Sequence, residues 1–227
     1  MLNAFSPEKA LLSRTKGAGL QIDYWFTRQP PSAALPEVSV LGLRLHNRRP
    51  DQALTNIRVL DAPAQLVAGG FEPVLALGAG MSCEARLLCA FAGKWRAPVR
   101  FTVATGEGDK FPVELRASVG ELLAPCMLDA AEFERQRVLL GGLHEAKVAT
   151  ALPSLAALSR VANLGAPVLR APPLLGFAAR RVDGASRSLL LVTVREPGGV
   201  VCVHCADAVA GMALAEDIKL ACAQWSE

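Results

Sequence analysis

A break in pattern near residue 118 constrains this chain more than any other feature. Before it, short apolar alternations follow one another; after it, helical and strand-like segments are mixed. The break itself, from Ser118 to Leu143, holds a strong helix start. Asp129 is placed to cap, Glu132 to reach back to the Asp129 backbone N–H, and Leu128 to pack on Phe133 as a staple. Phe133, Arg137 and Leu140 then share a helical face, until Gly141-Gly142 supplies the left-handed residue that ends a helix.

On the N-terminal side the period is two. Leu20–Arg28 puts Ile22, Tyr24 and Phe26 on one face and Trp25 on the other, and Val38–Asn47 repeats this with Leu41, Leu43 and Leu45. Further runs lie around Ile57 and Val59, over Val74–Leu77, Ala85–Phe91 and Val99–Ala104, and at Phe111, Val113 and Leu115. Pro30-Pro31, Asn47-Arg48-Arg49-Pro50 and Gly106-Glu107-Gly108-Asp109 punctuate them. Seven or eight short strands at intervals of roughly ten residues, with no long helix, predict an antiparallel β-sandwich over 19–118. Residues 1–18 read as a lead-in, with Ser6 capping a helical turn that Pro7 begins.

Residues 119–227 read as a sheet covered by helices, an α+β layer. A strand is expected over Glu145–Leu152, and a helix over Ser154–Leu164 with Leu155, Leu158, Val161 and Ala162 on one face. A loop carrying Pro167, Pro172 and Pro173 follows. Strands over Phe177–Val182 and Leu189–Arg195 come next, the latter turning through Glu196-Pro197-Gly198-Gly199 into Val200–Cys205. Asp207 caps a final helix reaching about Gln224, with Val209, Met212, Ile218 and Leu220 towards the core.

Charge argues against a nucleic-acid partner: 24 basic residues stand against 21 acidic ones, with no long run of either sign. The N-terminus carries Glu8 and lacks the apolar core of a secretory signal, so the six cysteines are expected as free thiols in a reducing, cytoplasmic setting. No window of ~18 uninterrupted apolar residues occurs, so no membrane-spanning helix is expected. No cofactor is indicated.

Catalytic material is sparse. His144-Glu145 begins like a zinc-protease motif, but position 148 is Val; Gly78-Ala79-Gly80 lacks the rest of a phosphate loop; and no G-x-S-x-G is present. None of His46, His144 and His204 lies near an obvious nucleophile in sequence. Cys202-Val203-His204-Cys205 groups two thiols and an imidazole, which keeps a metal- or thiol-dependent enzyme as the alternative reading. In a strand, however, Cys202 and His204 face one side and Cys205 the other. A purely structural assembly domain is the third reading.

Surface aromatics and cations give the candidate partner-binding residues. Lys94-Trp95-Arg96 is expected at a hairpin tip, where Trp95 either folds back on its own sheet or anchors a partner between two cations. Arg180 and Arg181 beside Phe177 form a second candidate patch, against the plainer reading of a solvated strand face.

Three segments together resemble a known family. Ile22-Asp23-Tyr24-Trp25-Phe26-Thr27-Arg28-Gln29-Pro30, Val119-Gly120-Glu121-Leu122-Leu123-Ala124-Pro125, and Phe177–Val182 followed by Ser188–Val194 resemble, in order, segments of the C-terminal appendage, or ear, of the beta subunit of adaptor protein complex 3. The resemblance implies an immunoglobulin-like sandwich followed by an α+β platform subdomain, with no enzymatic activity. It implies recruitment of accessory or coat proteins through short peptide motifs, and contact with other adaptor subunits within a longer chain. The implied place is the periphery of Golgi and endosomal membranes and of coated vesicles, on routes to lysosome-related organelles, with clathrin as a partner of such coats. No clathrin-box-like L-Φ-x-Φ-D/E occurs here. Related plasma-membrane ears bind helical peptides with a Trp just after an E-R-Q segment, whereas Glu134-Arg135-Gln136 runs on into Arg137-Val138-Leu139. No binding residue is carried over from that pocket.

Overall fold

Period-two alternation becomes two sheets in the first half of the chain. The structure, a computed structural model, describes residues 6–28, 37–91, 94–149, 158, 160–182, 188–195 and 199–223. Its contacts divide the chain between Ala117 and Ser118 into two units. The first contains β1 (Lys9–Leu12), β2 (Leu20–Phe26), β3 (Val38–Asn47), β4 (Leu54–Leu60), β5 (Val74–Leu77), β6 (Ser82–Ala90), β7 (Val99–Ala104) and β8 (Lys110–Leu115). They form two four-stranded antiparallel sheets, β1-β2-β3-β6 and β5-β4-β7-β8. This is the expected β-sandwich.

The core is built by the alternating residues. Ile22, Tyr24 and Phe26 of β2, and Leu41, Leu43 and Leu45 of β3, are buried opposite Val99, Phe101, Val103, Phe111, Val113 and Leu115. Tyr24 and Phe26 meet edge to face at 6.3 Å, and the Tyr24 hydroxyl donates to the Arg116 carbonyl at 3.1 Å, tying the first sheet to the end of the second. Pro112 is tolerated because β8 is an edge strand, where a missing N–H costs no ladder bond. The far edge of β6 is covered by the segment 65–70, with Val67 N–H donating to Leu88 and Ala90 N–H to Gln65.

The N-terminal segment is a correction. Lys9–Leu12 is a strand paired with β2, not part of a helical lead-in. Ser6 is buried and caps no helix: its Oγ accepts from the Phe26 N–H at 2.7 Å, and its own N–H donates to the Phe26 carbonyl. Backbone pairing with β2 competes successfully with a single helical turn, which would close only one hydrogen bond.

Asn47 ends β3 as a fully buried polar group. Its amide nitrogen lies 2.8 Å from the Gln52 carbonyl and 3.0 Å from that of Leu77, and its oxygen accepts from the Arg49 N–H. The side chain therefore stitches the turn after β3 to the end of β5.

The second unit contains β9 (Leu123–Pro125), α1 (Ala130–Leu139), β10 (Glu145–Ala149), β11 (Leu169–Ala171), β12 (Leu174–Arg181), β13 (Leu189–Arg195), β14 (Val200–Cys205) and α2 (Ala208–Ala223). One six-stranded sheet runs β10-β14-β13-β12-β11, with β9 also paired to β12. The helix start reads as expected in part: Asp129 accepts from Glu132 N–H at 2.7 Å, but the Glu132 carboxylate turns to Arg135 and Gln136. Leu128 packs against the Phe133 cluster, where Phe133 meets Leu169, Ala178 and Leu191. Gly142, at φ +69°, takes the left-handed conformation past the helix end.

Two expectations for this unit change. The proline-bearing loop is a hairpin, β11 to β12, turning at Pro172-Pro173. In α2 the buried residues are Ala210, Gly211, Leu214, Ala215, Ile218 and Cys222, so Val209, Met212 and Leu220 face outward and only Ile218 of the expected set faces the core. Gly211 lies over Cys205 and Val203, and this close seat sets the helix phase. Leu155 and residues 150–152 lie outside the described residues.

The Asn47 stitch yields a stability test. Asn47→Ala leaves buried carbonyls without a donor and is expected to cost about 2–3 kcal/mol, read as a lower urea midpoint at an unchanged m-value.

Candidate partner-binding surfaces

The Lys94–Arg96 candidate is not at a hairpin tip. β6 pairs with β3 while β7 pairs with β4 and β8, so the segment is the connection that crosses from one sheet to the other. A turn closes it, with Ala97 N–H donating to the Lys94 carbonyl. Lys94 and Arg96 are exposed, Trp95 is half-buried, and the Arg96 guanidinium stacks over the indole at 5.1 Å. Aromatic and cation are thus held together at the surface.

Phe177, Arg180 and Arg181 do not form one patch. In β12, positions 177 and 181 share a face and 180 points to the other. Phe177 is buried, and Arg181 is buried with its guanidinium donating to Asp207 at 2.6 Å. Asp207 also accepts from the Ala210 N–H, so Arg181 braces the start of α2. Of the three, only Arg180 is exposed.

Cys202, His204 and Cys205 divide as strand geometry requires. Cys205 and Val203 lie under α2, whereas Cys202 and His204 share the face that pairs with Lys147 and Glu145 of β10. Burial pushes the thiols of Cys202 and Cys205 up, away from the reactive thiolate. Cys89, in the sandwich core, is pushed up to about 12. The described residues contain no group of three or more His, Cys, Asp or Glu placed to hold a metal ion.

His204 is only 3% exposed, and neither ring nitrogen meets a hydrogen-bond partner of normal geometry. Burial lowers its pKa; Arg137 of α1 and Lys147 act in the same direction, against Glu145 and the nearby Leu140 carbonyl.

Another histidine departs from expectation. His46 Nδ1 lies 2.6 Å from Ser82 Oγ, and its Nε2 lies 3.5 Å from the Asp23 carboxylate, so a hydroxyl does lie beside a histidine. Pairing of β3 with β6 sets His46 opposite Ser82, and β2 brings Asp23 alongside, a proximity that linear sequence hides. Ser82 is exposed to water on an open sheet face, and Asp23 also accepts from Gln21 at 2.8 Å. Hydrogen bonding across strands accounts for the arrangement.

The same outer face carries a depression of about 580 Å³ lined by Glu8, Trp25, Gly42, Arg44, Glu84 and Arg86, among others. A Cβ at Gly42 would come within 2.2 Å of the Trp25 ring, so the indole lies directly on the β3 backbone. Arg44 stacks on that ring at 5.3 Å while pairing with Glu8 at 2.6 Å and Glu84 at 3.0 Å. Alternation alone turns Trp25 outward, but nothing in the linear order shows that Gly42, Arg44 and Arg86 surround it. On the second unit, Val138, Leu139 and Leu143 are exposed at 71%, 66% and 92%.

The architecture is thus a β-sandwich followed along the chain by a helix-covered α+β sheet, with an aromatic and cations at the surface of the first unit. Residues 4–92 match the family described as the C-terminal region of the clathrin-adaptor complex-3 beta-1 subunit, and residues 120–222 match the C-terminal domain of AP-3 complex subunit beta-1. The chain is 27% identical over 223 residues to AP-3 complex subunit beta-2 of Mus musculus, covering 94% of this chain and 20% of that protein. It is 32% identical over 202 residues to AP-3 complex subunit beta-1 of the same organism and 30% over 203 residues to that of Homo sapiens, in each case covering 84% of this chain and 18% of the relative. The chain belongs to the family of AP-3 beta C-terminal appendage domains. It spans about a fifth of the length of these relatives.

The buried imidazole gives a pH test. The folded pKa of His204 lies below its unfolded value of about 6.5, so between the two the unfolded chain binds more protons and stability rises with pH. Its contribution is complete above about pH 6.5 and is lost as pH falls towards the folded value. His204→Leu is expected to flatten the fall in urea midpoint between about pH 7 and pH 5 relative to the unsubstituted chain.

Proposed function

We propose that this chain is a non-enzymatic recruitment appendage of an adaptor complex, binding accessory or coat proteins through short peptide motifs. The matched families support this reading: both are C-terminal domains of an AP-3 beta subunit, and they occur in order along one chain. In a longer subunit the appendage would work beside other adaptor subunits, at the periphery of Golgi and endosomal membranes and of coated vesicles, in transport to lysosome-related organelles. No helix among the described residues is long and apolar enough to cross a membrane.

Lys94, Trp95 and Arg96 are the proposed partner contact on the sandwich, because a half-buried aromatic flanked by exposed cations has the make-up of an interface hot spot. Arg180 is the candidate contact on the second unit. A contact of this size is micromolar, about −8 kcal/mol, and gains strength when several appendages sit on one coat.

Affinity capture from cytosol with the 227-residue chain tests the reading. Coat and vesicle-accessory proteins are the expected captures, and recovery of metabolic enzymes or chaperones alone would refute it. Trp95→Ala is expected to weaken capture by about 2 kcal/mol, roughly thirty-fold, with the melting temperature moved by less than about 2 °C. A large loss of melting temperature would instead mark Trp95 as core.

A further inference from the structure

We propose that the depression on the outer face of the β1-β2-β3-β6 sheet docks an extended peptide carrying an apolar side chain and one carboxylate about three residues apart. The proposal rests on the recruitment reading and names the partner's chemistry.

The inner face of this sheet is consumed by the core, while its outer face presents Trp25 half-buried and Arg86 exposed. Pairing in register sets Trp25 opposite Gly42 and Gly42 opposite Arg86, so the three form one row across β2, β3 and β6. Gly42 makes the middle of that row low, and the indole lies down into it. Arg44, in the next row, is held from both sides by Glu8 and Glu84 while it stacks on the indole. Its charge is already matched, and its role in the groove is that of a fixed wall.

Arg86 differs from Arg44, for it makes no ion pair among the described residues. It is the one cation lining the groove with its charge unmatched by a described carboxylate. A ligand carboxylate placed there gains a charge-assisted hydrogen bond with fork geometry, while an apolar ligand side chain covers Trp25. The spacing follows from the sheet. Adjacent strands lie ~4.8 Å apart, so the Trp25 and Arg86 backbones are ~10 Å apart. Three residues of polyproline-II-like chain, at ~3.1 Å each, span that distance, and its period of three residues per turn turns both side chains to the same face.

The carboxylates of Glu8 and Glu84 supply the selectivity. They repel further negative charge beside Trp25, so the groove favours a single well-placed acid over a polyacidic tract. Because Trp25 and Arg44 are already held in place, little side-chain entropy remains to be lost on binding.

A displayed library of random short peptides, selected on the whole chain and in parallel on Arg86→Glu, tests this. The unsubstituted chain is expected to enrich peptides with an apolar residue and an Asp or Glu about three positions apart, and Arg86→Glu to enrich a Lys or Arg in place of the acid. In fluorescence polarisation, Arg86→Glu should weaken a leading acidic peptide roughly ten-fold or more and tighten its Lys counterpart, and Trp25→Ala should weaken both. Arg86 is exposed, so its variant keeps the melting temperature and the comparison does not depend on Trp25→Ala folding. Identical peptides selected by both proteins, or binding indifferent to Arg86→Glu, would overturn the groove. Binders lost instead on Trp95→Ala would overturn it while leaving recruitment intact. A library without binders would also overturn it, with coat-protein capture deciding recruitment separately.

Discussion

The register of β3 is the constraint on which the first unit depends. Leu41, Leu43 and Leu45 are buried on one side, while Gly42, Arg44 and His46 lie on the other. A slip of one residue would turn a guanidinium and an imidazole into the core and three leucines into water, so no neighbouring register competes. Asn47 then ends the strand at a fixed point, because its buried amide finds acceptors only where the turn after β3 and the end of β5 come together.

That fixed register makes the outer face specific as well. β2 and β6 pair with β3 along most of its length, so whatever lies opposite Gly42 or Arg44 is placed by the core leucines. Trp25 reaches the β3 backbone because position 42 is glycine, and Arg44 reaches Glu84 because the two are opposed across strands. The charges and the aromatic of this surface are ordered by packing on the other side of the sheet. Exposed ion pairs of this kind contribute little to stability, so their consequence is shape and orientation.

Much of the architecture is legible locally. The bounds of β3, β5, β7, β13 and β14 follow from alternation and turn residues, and the start of α1 from Asp129. What is not legible depends on pairing between distant segments. Lys94–Arg96 reads as a hairpin tip until β6 and β7 are seen to join different sheets. The seat of Ser6 is set by Phe26, twenty residues on, and the hydroxyl beside His46 comes from a strand beyond the intervening turns. In α2 nearly every position is apolar or small, so periodicity cannot fix the phase; the close seat of Gly211 on Cys205 does. Among the candidate site residues, alternation alone separates Arg180 from Phe177 and Arg181, but only the fold shows that the face of the latter pair is covered.

The two units treat their ionisable and apolar groups differently, and this bears on where recognition sits. In the second unit Arg181, His204 and Cys205 are taken into the interior, where Arg181 meets Asp207 and burial shifts the pKa values of His204 and Cys205. Among its exposed apolar residues, Val138, Leu139 and Leu143 project from a helix end and the turn after it, beyond the packed face defined by Phe133, and Met212 and Leu220 from the outer face of α2. Ordering such side chains on binding costs about 0.5–1.5 kcal/mol each, which offsets much of what their burial contributes. Trp25 carries little of that cost, because the β3 backbone and Arg44 already hold its ring. For equal apolar area, a pre-ordered aromatic on a sheet retains more free energy for a partner than several exposed aliphatics that must be ordered on binding.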